Sequence, residues 1–250
     1  MRIIFLGTAA AVSTSNRDNT SILLDDLLID CPGNVFGKMK KVGYDPLKLQ
    51  GVLITHGHID HIYGLPSLIE MLRLSGRKKP LTVYVGQHFY ELTRDCLEIY
   101  DLLNPEKGIE IRLKSISYEE QLLFKNSSIS VFAFPVRHSV PNLGLKIQSF
   151  QSTVVYTSDT EPCEDLVQFF NGAELLIHES TCSYLYTRRM EGHSCAEDVA
   201  RLAQLSNVKT LCLVHLGPEI DSNETDLVDE LKQYFLGKIL IPNDLDRIII

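Results

Sequence analysis

The stretch Val52-Leu53-Ile54-Thr55-His56-Gly57-His58-Ile59-Asp60-His61 sets a short apolar run directly before four side chains able to bind a metal. The apolar part has the length and composition of a buried strand. Imidazoles and a carboxylate are the donors that Zn²⁺, Fe and Mn²⁺ accept. A strand ending in such a cluster holds its donors on a short, stiff loop, as a metal site built for chemistry requires.

Working outward, strand-length runs of β-branched or apolar residues recur at 2–6, 21–24, 27–30, 51–55, 81–85, 110–113, 129–134, 143–147, 153–156, 174–178, 208–214 and 247–250. Asp25-Asp26 between two of these runs reads as a hairpin turn. Helical periodicity appears at 65–74, 88–103, 164–170, 195–205 and 225–235. Ser194 stands as N-cap of the fourth, with Glu197 three residues on, the capping-box pattern. Both halves of the chain run strands first and then alternate strand and helix, without a Pro/Gly-rich linker, a low-complexity tract or a short repeat. One α/β domain over 1–250 is expected, with strands in two packed sheets and helices on their outer faces. Periodicity does not separate that arrangement from a single mixed sheet.

Net charge is −8, which argues against a broad electrostatic footprint for RNA or DNA. Arg73, Arg77, Lys78 and Lys79 form a local basic cluster that reads as a solvated helix end and turn. Apolar runs fall far short of the ~18 residues a membrane span needs, so no membrane partner is expected. The opening 1–7 lacks the length and cleavage site of a signal peptide and reads as a first strand. Cys31, Cys96, Cys163, Cys182, Cys195 and Cys212 are scattered, with no Cys-x-x-Cys pair. They read as reduced, mostly buried thiols in a cytoplasmic protein.

Of the eight histidines, only His88 lacks a suggestive neighbourhood and reads as a surface or helix-end residue. His138, His178 and His215 each follow an apolar run, as does Asp159. Loops at the C-terminal ends of strands converge on one face, so several such residues point to one site.

The His-x-His-x-Asp-His run followed by His138, Asp159 and His215 resembles the metallo-β-lactamase superfamily in order and spacing, over nearly the whole chain. The fold this implies is an αββα sandwich, two mixed sheets flanked by helices, with a dinuclear site at one edge. By that resemblance His56, His58 and His138 bind one metal, Asp60, His61 and His215 bind the second, and Asp159 bridges them. A shared hydroxide is the implied nucleophile, oriented by Asp60. Zn²⁺ is the expected metal, with Mn²⁺ and Fe also compatible with the donors.

Phe5-Leu6-Gly7-Thr8 with Arg17 and Asn19, His178-Glu179-Ser180-Thr181, and Gly192-His193-Ser194 ahead of a helix resemble RNase Z proteins. The resemblance implies that His193 protonates the leaving oxygen while Glu179 holds and polarises it, His178 being structural or supporting. It also implies a homodimer, for which the helix at 65–74 is a candidate interface, with core burial its simpler explanation.

Two departures bear on substrate. RNase Z proteins carry a long arm that grips tRNA between the third and fourth motifs. Here His138 and Asp159 are 21 residues apart and strands fill most of that gap. Leu216-Gly217-Pro218-Glu219 also replaces the Ser-x-Arg-Tyr usual after the last ligand. Arm-less relatives, among them the anti-Pycsar cyclic nucleotide phosphodiesterases and the phosphodiesterase of carbon–phosphorus lyase pathways, cleave smaller diesters. The leading expectation is a metal-dependent phosphodiesterase on a small diester such as a cyclic nucleotide. The alternatives are a tRNA 3′-end endonuclease that grips RNA by other means, a thioester or lactam hydrolase, and a purely structural metal.

Overall fold

A computed structural model describes residues 1–187 and 189–250. Among the described residues the strands form two seven-stranded mixed sheets, and the chain divides into two units, each built on one sheet. The first unit comprises β1 (Arg2–Gly7), β2 (Ser21–Leu24), β3 (Leu27–Ile29), β4 (Gly51–Ile54), β5 (Leu81–Gly86), β6 (Ile111–Ile116) and β14 (Arg247–Ile249), in the order β14-β1-β2-β3-β4-β5-β6. The second comprises β7 (Gln121–Lys125), β8 (Ile129–Val136), β9 (Asn142–Ser149), β10 (Thr153–Tyr156), β11 (Leu175–Ser180), β12 (Thr210–Leu216) and β13 (Lys238–Leu240), in the order β13-β12-β11-β10-β9-β8-β7.

Both sheets follow the same plan. Three antiparallel pairings (β14/β1, β1/β2, β2/β3; β7/β8, β8/β9, β9/β10) are followed by three parallel ones (β3/β4, β4/β5, β5/β6; β10/β11, β11/β12, β12/β13). Tight turns join β2 to β3, β7 to β8 and β9 to β10. The turn at Asp25-Asp26 is one, with Asp25 at φ 48°, a conformation that Asp tolerates. The parallel strands need crossovers, and helices supply them. In the first unit these are α1 (Val35–Lys41), α2 (Ile59–Ile62), α3 (Leu65–Leu74) and α4 (Tyr90–Ile99). In the second they include α5 (Val167–Phe170), α6 (Ala196–Leu205), α7 (Pro218–Asp221) and α8 (Glu224–Leu231).

Alternate strand residues form the helix-side core of each unit. Ile4, Leu28, Val52, Ile54, Val83 and Val85 meet Met39 of α1, Leu68 and Leu72 of α3 and Leu97 of α4. Val155, Leu176, Leu211 and Leu213 meet Phe170 of α5, Val199, Ala200 and Ala203 of α6 and Leu227 of α8. The intervening residues of the central strands, such as Phe5, Leu53, Val154 and Ile177, are buried as well. Burial on both faces explains why these strands read as continuous apolar runs rather than alternating ones.

Several expectations need correction. The helix after Cys195 begins at Ala196, but Ser194 and Glu197 form no capping box. Ser194 Oγ donates instead to the carbonyl of Thr160, and Glu197 accepts from Ser183 Oγ and Tyr184 N. Tertiary partners outbid the local cap. Arg77 is not part of a solvated basic turn: it is buried and donates to the carbonyls of Leu47, Lys79 and Pro80. The thiols are not all reduced either, because Cys182 and Cys195 form a disulfide. No helix among the described residues is long and apolar enough to cross a membrane.

Arg17 is the largest fully buried side chain of the second unit. Its Nε donates to Asp221 at 2.7 Å, its Nη1 to Thr8 Oγ1 and to the carbonyl of Pro242 at 2.6 Å each, and its Nη2 pairs with Glu224. These bonds tie the loop after β1 to α7 and α8. Removing one partner of a buried ion pair leaves the others uncompensated, so Arg17→Met is expected to cost about 3–5 kcal/mol in urea unfolding. Burial works against the charge on Asp221, but the Thr14 hydroxyl and Arg17 outweigh it and hold its carboxyl below the usual range. That contribution is present above the unfolded carboxylate pKa and is lost as pH falls through the lower folded value. The gap between wild type and variant should therefore narrow under acid.

Candidate metal centre

The residues singled out from the sequence lie at the C-terminal ends of strands in both units. In the first unit, β4 ends at Ile54 and the next seven residues carry His56, His58, Asp60 and His61, the last two on the single turn α2. Gly57 lets the loop pass closely under Phe89, because a Cβ there would overlap that ring. His56 Nε2 and His58 Nδ1 stand 3.1 Å apart, and His61 Nε2 lies 3.4 Å from Asp60 Oδ2. Two donors at bonding distance on one tetrahedral zinc are about 3.3 Å apart. Both pairs therefore have the spacing of ligands to a common ion.

Asp30, just past the end of β3, fixes this cluster from behind. It is wholly buried, and its carboxylate accepts from Thr55 N at 2.8 Å, from Thr55 Oγ1 at 3.0 Å and from His61 Nδ1 at 2.8 Å. A hydroxyl has one proton to give, and Thr55 gives it to Asp30. The 3.1 Å contact between Thr55 Oγ1 and His56 Nδ1 is then a bond donated by the imidazole. With Nδ1 protonated on both His56 and His61, the lone pair sits on Nε2, the tautomer a metal ligand needs.

The second unit repeats this device. Glu179, near the end of β11, is wholly buried and accepts from His193 Nδ1, Ser194 N and Thr160 N on Oε1, and from Thr181 N and Oγ1 on Oε2, at 2.9–3.2 Å. Thr181 Oγ1 gives its proton to Glu179 and receives one from His215 Nδ1 at 2.9 Å. His138 Nδ1 donates to the carbonyl of Gly192 at 2.6 Å. Asp159 Oδ2 then lies 3.3 Å from His215 Nε2 and 3.9 Å from His138 Nε2, between the two rings. Donor atoms of Asp159, His193 and His215 fall within 4.8 Å of one another.

Backbone irregularity aims these side chains. The β11–β12 pairing slips between Glu179 and Ser180, so that Glu179 opposes Val214 and Ser180 opposes Leu216. His215 is the extra residue of that bulge, and its φ of 53° turns it out of the strand. Ser158, just before Asp159, has φ 54°. Left-handed backbone costs a non-glycine residue about 1–2 kcal/mol, so the surrounding bonds must hold these positions.

His56, His58, Asp60 and His61 are thus brought together in one unit, and His138, Asp159, Glu179, His193 and His215 in the other. His178 is excluded: its ring points to the helix side, edge-on to Phe170, and burial pushes its pKa down so that it stays neutral. His88 is exposed in the turn before α4. Asp30, Thr55, Thr181 and the Gly192 carbonyl escaped sequence reasoning. Asp30 was legible only as the last residue of a strand. Hydrogen-bonded imidazoles with Nε2 set for coordination, grouped with carboxylates, suit a dinuclear metal site.

Asp30→Asn keeps the shape of the carboxylate but sets an amide N–H against one of its donors. Metal affinity should fall about 10- to 100-fold with the fold retained. Chelator competition on the purified variant checks this; unchanged affinity would show that Asp30 does not orient the ligands.

A model of the anti-Pycsar protein Apyc1 family matches residues 1–236. Ribonuclease Z of Pyrococcus abyssi is 28% identical, covering 100% of this chain and 96% of that protein. Among solved structures, the metallo-β-lactamase fold protein YhfI from Bacillus subtilis aligns with a TM-score of 0.80 at 24% identity, over 99% of this chain and 98% of its own. The short form of human tRNase Z aligns with a TM-score of 0.79 at 24% identity, over 100% of this chain and 99% of its own. The expected fold is therefore the observed one, and the chain is a metal-dependent hydrolase of the metallo-β-lactamase fold, RNase Z-like in its relatives. Within that group, the chain belongs to the anti-Pycsar protein Apyc1 family.

Proposed function

We propose that the chain hydrolyses phosphodiesters on a pair of divalent metal ions, with a small diester such as a cyclic nucleotide as substrate. His56, His58 and His138 would hold one ion, Asp60, His61 and His215 the other, and Asp159 would bridge them. The two units then act as one catalytic domain over 1–250. Zinc is the expected ion, because imidazole-rich donor sets favour it over the harder Mn²⁺. When bound, the ions acidify a water molecule and neutralise charge on the phosphoryl group. Asp60 accepts a hydrogen bond from the attacking water and orients it. His193 gives a proton to the leaving oxygen from Nε2, while Glu179 holds its Nδ1 proton and stabilises the charged ring.

The Glu179–His193 pair is the observation that carries this reading. A phosphodiester expels an alkoxide, which needs a proton as it leaves. Thioester and lactam hydrolysis do not need an acid in the same place.

The family match supports a small substrate. So does the connection from His138 to Asp159, which β9 and β10 fill as a plain hairpin turning at Phe150-Gln151. The alignment to the Pyrococcus protein runs over 309 positions against 250 residues here, a difference of 59 that this chain lacks. A second reading, a ribonuclease Z-type endonuclease acting on precursor tRNA, has the more direct support of the named relatives, which match over 96% and 92% of their own length. We also propose a homodimer. In the first unit a groove of about 810 Å³ beside α3 and α4 exposes Ile59, Tyr63, Leu92 and Tyr100, an apolar surface that a second copy would cover. Sedimentation at the mass of one chain, 28.2 kDa, would exclude it.

The test is turnover of cyclic mononucleotides and of a precursor tRNA by protein carrying two metals, with a chelated control. Metal-dependent ring opening is expected, and His193→Ala should lower it about 10²- to 10⁴-fold at unchanged metal content. His58→Ala and Asp159→Ala should lose metal as well. Cleavage of the precursor tRNA alone would establish the second reading.

A further inference from the structure

Cys182 and Cys195 are each the chain neighbour of the acid machinery. Cys182 follows Thr181, which binds both Glu179 and His215. Cys195 follows Ser194, whose amide donates to Glu179, and lies two residues from His193. Their Cα atoms are 4.4 Å apart, both side chains are fully buried, and the disulfide closes a loop of 13 residues' separation. That loop presents two groups to the site, the Gly192 carbonyl to His138 and the His193 ring to Glu179. Besides the S–S bond, hydrogen bonds join its two ends: Cys182 N donates to Ser194 O at 3.3 Å, Ala196 N to Cys182 O at 2.8 Å, Thr181 Oγ1 lies 3.1 Å from His193 Nδ1, and Ser183 Oγ and Tyr184 N donate to Glu197. Between them the loop carries exposed Tyr184, Leu185 and Met190.

We propose that the Cys182–Cys195 disulfide is a positioning element for proton donation by His193, so that the enzyme's chemistry depends on its redox state. The inference rests on the phosphodiesterase reading for His193. A dithiol reductant supplies two electrons and two protons. The Sγ–Sγ bond breaks, thiols form at Cys182 and Cys195, and the reductant closes to its own disulfide. The limb carrying Gly192 and His193 is then held to the Thr181 limb by hydrogen bonds alone. His193 loses alignment with the leaving oxygen, and small misplacements of a catalytic group are costly.

The test uses the metal-loaded full-length protein, oxidised and after treatment with a dithiol, with two additional thiols counted under denaturing conditions and metal content checked. Two diesters are compared: one with an alkoxide leaving group, which needs a proton, and bis(p-nitrophenyl) phosphate, whose leaving group does not. Reduction should slow the first about ten-fold and the second less than two-fold. The Cys182→Ala/Cys195→Ala variant should behave as the reduced protein. Equal slowing of both diesters, or of neither, would overturn the proposal. Hydrogen exchange provides a readout independent of activity: amides of residues 183–187 and 189–194 should exchange faster after reduction while those of β11 and α6 do not. Unchanged exchange in that loop would also overturn it. Inactivity of the oxidised protein on both diesters would instead sink the phosphodiesterase reading, leaving exchange to judge the disulfide.

Discussion

A buried carboxylate that fixes imidazole protons is the interaction on which the rest of this structure depends. Asp30 takes one directly from His61 and reaches a second, on His56, through Thr55. Glu179 takes one from His193 and reaches His215 through Thr181. In each case the threonine hydroxyl gives its one proton to the carboxylate, its nearest oxygen acceptor, and so accepts from the histidine. This chain of single choices sets tautomers without any metal present. It leaves Nε2 as the basic atom on His56, His61 and His215, and it gives His193 a partner that stabilises its charged form. Burying two carboxylates is costly unless their bonds are complete, and the backbone amides of Thr55, Thr160, Thr181 and Ser194 help complete them.

The sheets make that arrangement possible. Each unit runs an antiparallel meander into parallel strands, and the chemistry sits where parallel strands end. Asp30 follows β3 and the His56–His61 loop follows β4; Asp159 follows β10, and Glu179 and His215 are the penultimate residues of β11 and β12. Strand ends in such sheets have amides and carbonyls no longer committed to the ladder, and these can be turned toward a site. The left-handed backbone at Asp30, Ser158 and His215 makes the turns, and the dense hydrogen bonding around them offsets their strain.

Much of this was legible in the sequence because donor chemistry cannot be disguised. The 55–61 run, His138, Asp159 and His215 declared themselves by residue type after an apolar run, whereas Glu179 and His193 were legible only through the resemblance to RNase Z proteins. The strands at 21–24 and 153–156 and the helix at 65–74 were readable to the residue, since their apolar spacing matches their burial. What escaped depends on tertiary partners. β7 and β13 carry weak patterns and are recruited by their neighbours β8 and β12. Ser194 has the local look of a helix cap, yet a carbonyl 34 residues away claims its hydroxyl. Asp30 looks like a strand terminus until His61 is seen beside it. Cys182 and Cys195 show no motif spacing, and only an isolated bridge between the segment after β11 and the residue before α6 brings them together.

Diffraction from metal-loaded crystals, with anomalous scattering collected at the metal edge, tests the central claim most directly. Two peaks about 3.5–4 Å apart are expected. One should be bound by His56, His58 and His138, the other by Asp60, His61 and His215, with Asp159 touching both. A single ion, or ions held away from these residues, would contradict the account.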